Sequence, residues 1–401
     1  MKRPLAWMLA AVLAAGLGCN NNFSSGDRVL VSKCTYEAGI REPQRNDVVV
    51  FKFPDRPLEK NVPKNYIKRL LGLPGEIIAI FFGRLFHFAT PPGAPLPHQD
   101  HTDAKIAKEL WHRHPFMHEN DPSDRERFQL GQFKILRKPP SVMMALRRIV
   151  YDNDFPAKDM VESPRWAPAE GSGWKKDKQH GFRFAGADAE HVDWLHYQHL
   201  VRPEKGPPDG KRELITDIMD YNSVWLNDHP TTPPANWVGD LMLECHVDVL
   251  KGQGQFALEL SKGIHRFEAR WDLGSGVCTL FKTEYKELNE NGKLVFKPGD
   301  RAELDSKPTK LRGPGAYQVR FANIDARLTV WVDRELPFGD GKDYPPPEVR
   351  NGAEEKDLDE IDLQQRRGPT KNDLEPASIG AQGAAVQVSQ LKLWRDTYYS
   401  L

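Results

Sequence analysis

The chain has 401 residues, 56 basic and 56 acidic side chains, and a formal net charge of +0. That balance leaves no basic footprint for a nucleic acid partner. Charged residues at 28% and hydrophobic ones at 39% describe a soluble globular body apart from the N-terminus, and the length suits two or three domains.

Lys2 and Arg3 precede an uncharged apolar run over residues 5–17. A positive head on a short apolar stretch is the pattern of a secretory signal, and the run is shorter than the ~20 residues a helix needs to cross a bilayer. Ala15-Gly16-Leu17-Gly18-Cys19 resembles a bacterial lipoprotein cleavage site, although Gly16 stands where such sites usually carry Leu. Asn20, Asn21 and Asn22 then suit a polar tether. Residues 1–22 read as a signal or lipoprotein-type segment with a lipid on Cys19. The rivals are an uncleaved, marginal membrane helix and a discarded signal in which Cys19 has no role.

Three segments follow closely: Gly26-Asp27-Arg28-Val29-Leu30-Val31, Asp47-Val48-Val49-Val50-Phe51-Lys52, and Asn65-Tyr66-Ile67-Lys68-Arg69-Leu70-Leu71-Gly72-Leu73-Pro74-Gly75-Glu76. Alternation around Lys68 reads as a strand, and Leu73-Pro74-Gly75 as a turn. Together the segments resemble the type I signal peptidases, membrane-bound serine endopeptidases with a Ser–Lys dyad. The resemblance covers residues ~23–90. It implies Lys68 as general base, a role that needs burial to lower the lysine pKa. The family's nucleophile belongs to a Ser-Met-x-Pro motif eight positions before the Gly of Gly-Asp. That position is Gly18 here, and no serine lies in Gly18-Cys19-Asn20-Asn21-Asn22. Ser24 and Ser25 are the nearby hydroxyls, and a displaced nucleophile there must meet a demanding geometry of about 3 Å; otherwise they form a turn or cap. The family's later Gly-Asp-Asn and Ser-x-Asp-Ser-Arg signature is also missing.

Residues ~91–134 open on Pro91-Pro92-Gly93-Ala94-Pro95-Leu96-Pro97 and read as a loop-rich insertion. They hold His98, His101, His112, His114 and His118. No carboxylate or cysteine completes a metal site around them, so they read as solvated loop histidines, like His196 and His199 further on. Val142, Met143, Leu146 and Ile149 have helical spacing. Tyr151-Asp152-Asn153-Asp154 offers acidic oxygens without the ligand periodicity of a calcium loop, and reads as a turn.

Beyond residue ~165 the pattern is period two. Leu241, Leu243, Cys245, Val247 and Val249 alternate with Met242, Glu244, His246 and Asp248. The same holds for Phe182 and Phe184; Phe256, Leu258 and Leu260; Phe267, Ala269 and Trp271; Tyr317, Val319 and Phe321; Leu328, Val330 and Val332; and Val386, Val388, Leu391 and Leu393. One apolar face per strand, broken by Gly, Pro and Asn, indicates an antiparallel sandwich. Gly313-Pro314-Gly315-Ala316-Tyr317-Gln318-Val319, Leu328-Thr329-Val330-Trp331-Val332-Asp333 and Val386-Gln387-Val388-Ser389-Gln390-Leu391-Lys392-Leu393-Trp394 resemble the concanavalin or laminin-G type of jelly roll. Such sandwiches often bind glycans, and Trp225, Trp237, Trp271 and Trp331 are candidate stacking platforms, core packing being the commoner fate. Cys245 and Cys278 sit on strands and read as reduced core residues, a disulfide between them being the rival. Residues 354–367 form a charged surface stretch.

The expected fold is mainly β: a signal-peptidase-like β domain over residues 23–135, then a jelly-roll β-sandwich over residues 140–401. The expected function is that of a signal-peptidase-family protein of the cell envelope, on its periplasmic face. It is held to the membrane by its N-terminal segment and acts, if active, on exported preproteins, with no cofactor or metal. Loss of the nucleophile makes it catalytically impaired. The alternative is a non-catalytic binding or scaffold protein that holds a glycan or an envelope protein. The mature protein is expected to start at a lipidated Cys19, which mass spectrometry of membrane-extracted protein tests; a chain that starts elsewhere or retains Met1 overturns this reading.

Overall fold

The computed structural model describes residues 30–32, 34–37, 40–52, 65–89, 132–177, 180–186, 190–202, 210–218, 224–226, 229–231, 235–290, 293–345 and 368–399. Cys19, Ser24, Ser25, the five histidines of residues ~91–134 and the stretch 354–367 lie outside them, as do the side chains of Cys34 and Trp225. Among the described residues no helix is long and apolar enough to cross a membrane. Contacts divide the chain into two compact units, residues 1–73 and 74–401.

The first unit contains a short helix, Cys34–Glu37, and one antiparallel ribbon of strands Val48–Lys52 and Asn65–Arg69. Asp47 locks the mouth of the ribbon. Its carboxylate accepts from Tyr36 Oη at 2.8 Å, Arg41 Nη2 at 2.9 Å and the Gln44 backbone N–H at 2.9 Å. The Gln44 hydrogen bond, with Tyr36 and Arg41, holds that carboxyl below its ordinary range.

In the second unit two antiparallel sheets pack face to face. In spatial order one sheet runs Lys293–Pro308, Val277–Glu290, His265–Asp272, Gln255–Lys262, Ala377–Gln382, Asp193–Tyr197 and Trp166–Pro168. The other runs Lys342–Asp343, Arg327–Val332, Gly315–Ile324, Leu241–Lys251, Ala385–Arg395, Phe182–Ala185 and Trp174–Lys176, and Arg148–Asp152 also pairs with Ala385–Arg395. The alternating residues face each other across the interior. Leu243, Cys245 and Val247 of one sheet and Leu258, Leu260, Phe267 and Leu280 of the other belong to one buried cluster. The step of three between Val388 and Leu391 is a β-bulge. Exposed Gln390 sits there at φ 52°, and the register against Leu241–Lys251 shifts. Without the extra residue the apolar side of the strand would flip.

Several expectations need correction. Helical spacing over residues 141–149 overruns its element: the helix is Pro140–Leu146, and Ile149 lies in the strand Arg148–Asp152. Pro140 is helical position one, where its missing N–H costs nothing. This helix covers the outer face of its sheet, so Met242 is buried as fully as its inward neighbours, with Met143, Ala322, Ile324 and Trp331. The acidic turn holds Asp152 against Lys392 at 3.0 Å, and the Asp154 backbone N–H donates to Asp152 Oδ1 at 3.1 Å. Cys245 and Cys278 are free thiols in the core, and burial raises the pKa of both.

Contacts also draw a boundary unlike the expected one at residue 135. The three-stranded sheet Glu76–Phe81, Arg84–Ala89 and Lys134–Ile135 groups with the sandwich, because Phe86, Phe133 and Ile135 enter the sandwich core. Charges fasten the same seam. Arg84 forks onto Asp240 with two contacts of 3.0 Å, and Lys138 Nζ bridges Asp325 and Asp396 at 2.7 Å each. Lys262 also donates to Asp240. Removing one member leaves a buried charge without a partner, which costs about 3–5 kcal/mol. Lys138→Ala is therefore expected to lower unfolding stability by about that much, read as a lower urea midpoint at unchanged slope.

Candidate functional site

Lys68 sits in the strand Asn65–Arg69, opposite Val49, on the same face as the adjacent Phe51–Tyr66 pair, whose ring centroids are 6.3 Å apart. The strand is the one that alternation around Lys68 suggested. The expected burial is not found: Lys68 is exposed. Among the described residues, this ribbon of two strands has nothing to bury a face against. Val48, Val50, Phe51, Tyr66 and Ile67 are likewise open among the described residues. The Lys68 ammonium has no hydrogen-bond partner among them.

Among the described residues of the second unit Lys138 and Lys262 are buried, and the chemistry of Lys138 runs the other way. Burial alone would lower its pKa, but Asp396 and Asp325 outweigh that and push it up. It is an ammonium clamped between carboxylates, which is the reverse of a general base. The carboxylates of Asp240, Asp325 and Asp396 lie close enough together to hold a cation. Lys138 supplies that cation itself.

The open face of the sheet that carries His265–Asp272 holds a different arrangement, a cleft of about 370 Å³. Its sides are charged pairs. Arg266 Nη1 donates to Glu259 at 2.5 Å, Arg270 to Glu268, and Arg301 Nη2 to the other oxygen of Glu268 at 2.9 Å. These residues occupy the outward positions of strands whose inward positions are Leu258, Leu260, Phe267 and Ala269. Period two thus creates both the core and the polar floor. The Arg301 guanidinium lies 3.6 Å above the Phe281 ring, which fixes its height over the sheet. His196 Nδ1 shares a hydrogen bond of 3.0 Å with Ser378 Oγ.

Trp194 completes the cleft. It pairs with Gly380 in register, and a Cβ on Gly380 would lie 2.8 Å from the Trp194 ring. The six-membered ring therefore rests against bare backbone, half-buried, beside ionised and hydrogen-bonding groups. Sequence reading missed this tryptophan as a platform. The available signal was a Trp cross-strand from a Gly, which becomes visible only once the strands are paired. The reading of His196 and His199 as solvated is also overturned. Burial, with Arg266 second only to opposing Glu375, lowers the His196 pKa, and burial takes His199 down to about 4. Of the tryptophans named as platforms, Trp271 and Trp331 are buried at 0% and 4% exposure, since each points to a covered side of its sheet. Trp237 lines a separate cavity.

Comparison with known proteins bears on both units. The family described as "Signal peptidase, peptidase S26" matches residues 6–120. The chain is 48% identical over 59 residues to signal peptidase I of Pseudomonas fluorescens, a stretch covering 14% of this chain and 18% of that protein. It is 35% identical over 60 residues to the probable signal peptidase I-2 of Synechocystis sp., covering 15% and 27%. The chain thus spans well under a third of the length of these relatives. Among solved structures, the carbohydrate binding module CBM66 from Bacillus subtilis aligns at 10% identity and a TM-score of 0.31, over 58% of this chain and 96% of that one. The galectin LEC-6 of Caenorhabditis elegans aligns at 12% identity and a TM-score of 0.23, over 44% and 98%. Scores this low carry no weight for ligand or activity. The match over residues 6–120, joined to the Tyr66-Ile67-Lys68-Arg69 segment and its flanking strands, makes the N-terminal part of this chain similar to the signal peptidases of family S26.

Proposed function

We propose that this is an envelope protein of the signal peptidase family in which peptide cleavage is impaired and the sandwich binds a glycan. The observation that carries the binding reading is Trp194, seated on Gly380 at one side of a cleft of paired charges. A sugar ring has an apolar face of C–H groups and a rim of hydroxyls. The indole takes the face. Arginines donate to the rim and glutamates accept from it, and each hydroxyl can do both. Because the arginines and glutamates already hold one another, little side-chain freedom is lost on binding. Burial pushes the Glu268 carboxyl up, and Arg270 and Arg301 oppose that rise.

The impaired reading rests on Gly18 at the position of the family's nucleophile and on the exposure of Lys68. The active reading keeps the family match and the Tyr-Ile-Lys-Arg segment in its favour, with Ser24 or Ser25 as a displaced nucleophile. Cleavage of a preprotein substrate by wild type, by Lys68→Ala and by Ser24→Ala/Ser25→Ala separates them. No cleavage above background is expected from any of the three. Robust wild-type cleavage lost in both variants establishes the enzyme instead.

For the cleft, affinity electrophoresis through soluble neutral polysaccharides is the measurement. Trp194→Ala is expected to weaken retardation about tenfold, the equivalent of about 1.4 kcal/mol. His196 is held below its ordinary pKa, so it is neutral from about pH 7 upward and binding should be flat across that range. Retardation unchanged by Trp194→Ala removes the cleft as the binding site.

A further inference from the structure

A second cavity, of about 250 Å³, lies in the same unit at the seam between the three-stranded sheet and the sandwich. Its floor holds two cations that are almost wholly buried, Arg84 at 5% and Lys262 at 7% exposure. Both are aimed at Asp240. That carboxylate accepts from Arg84 Nε and Nη2 at 3.0 Å each, from the Asp325 backbone N–H at 3.2 Å, and from Lys262 Nζ. Four donors on two oxygens use every lone-pair site a carboxylate has. Asp240 has no capacity left to accept from a ligand. The Lys262 ammonium carries three N–H donors, and Asp240 is its one hydrogen-bond partner among the described residues. The floor therefore presents donors and no spare carboxylate acceptor.

The wider charge cluster is neutral, since Arg84, Lys138 and Lys262 match Asp240, Asp325 and Asp396. The order in space is not symmetric. Arg84, Lys262 and Asp240 line the cavity, while Lys138 and its two carboxylates do not. At close range two cations and one spent anion face the ligand. A neutral sugar needs acceptors as well as donors and is poorly served there. An anion is well served.

The walls are two aromatic rings fixed by glycines. A Cβ on Gly239 would stand 2.6 Å from the Trp237 ring, and one on Gly83 would stand 2.2 Å from the Tyr398 ring. Each ring rests on bare backbone, and any side chain at either glycine would dislodge it. Gly83 also has φ +73°, which a side chain would strain. Both rings line the cavity, whose volume of about 250 Å³ has room for a single-ring ligand.

We infer that this cavity binds a small carboxylate built on a single ring, such as a hexuronic acid, with its carboxylate on Lys262 and Arg84 and its body between Trp237 and Tyr398. The site is separate from the Trp194 cleft and does not depend on it. Calorimetric titration of the full chain with glucuronate, glucose and inorganic phosphate tests it. Glucuronate is expected to bind at least about tenfold more tightly than glucose or phosphate. Trp237→Leu should weaken glucuronate by about tenfold, and Lys262→Gln should erase the preference over glucose. Trp194→Ala should leave both results unchanged. Trp237→Leu alone decides the matter if Lys262→Gln fails to fold. A tetragalacturonide that binds more tightly than its monomer identifies a polymer end as the source. Equal binding identifies a free acid, and either result supports the inference. With the cleft disabled by Trp194→Ala, glucose binding as well as glucuronate, glucuronate binding that survives Trp237→Leu, or no saturable binding in the millimolar range overturns it.

Discussion

Six charges buried at one seam set the terms for the second unit. Taking a carboxylate or an ammonium out of water costs several kcal/mol per ion unless a partner replaces the water. Arg84 and Lys138 come from beside the three-stranded sheet, Lys262, Asp240 and Asp325 from the strands and turns of the sandwich, and Asp396 from the end of its longest central pairing. None of these groups is tolerable there without the others. The seam is held less by the strength of the pairs than by the penalty for separating them. An apolar seam of the same shape could be more stable, but it would tolerate sliding. Paired ions with a two-pronged Arg84–Asp240 contact fix one register.

The same logic of pairing divides the two surfaces that take ligands. On the cleft face, Arg266, Glu268 and Arg270 alternate along one strand and Glu259 stands opposite Glu268, so donors and acceptors are offered together beside Trp194. At the seam, the acceptor side of the pairing is used up internally and the donors remain. Two sites in one sandwich thus differ in what they can recognise, although both are built from an aromatic ring on a glycine and a few buried charges.

Much of the core was legible in the sequence. Period-two runs such as Leu241, Leu243, Cys245, Val247 and Val249 name the buried face directly, because alternation and burial are the same fact in a half-covered sheet. The step from Val388 to Leu391 breaks that alternation, and strand pairing shows the break to be a bulge. The pattern failed where a second layer intervened. Met242 and Trp331 sit at outward positions, yet the helix Pro140–Leu146 covers them, and no local signal in either strand announces that helix. The sites were less legible for the same reason. Trp194 and Gly380, or Arg84 and Asp240, are distant in the chain and meet through strand order, which periodicity does not reveal. The S26 segment was the opposite case. Its short contiguous motif named the family while leaving the surroundings of Lys68 open.

The ion cluster also governs when this unit can fold. Lys138 and Asp396 are 258 positions apart, and Arg84 and Asp240 are 156 apart. During synthesis the cations of Arg84 and Lys138 emerge long before the carboxylates that neutralise them. Until Asp396 arrives, a closed seam would trap Lys138 with an incomplete partner set, and the strand Ala385–Arg395 that delivers it also joins the middle of a sheet. Closure of the sandwich and neutralisation of the seam therefore become one late event, set by the arrival of the strand Ala385–Arg395.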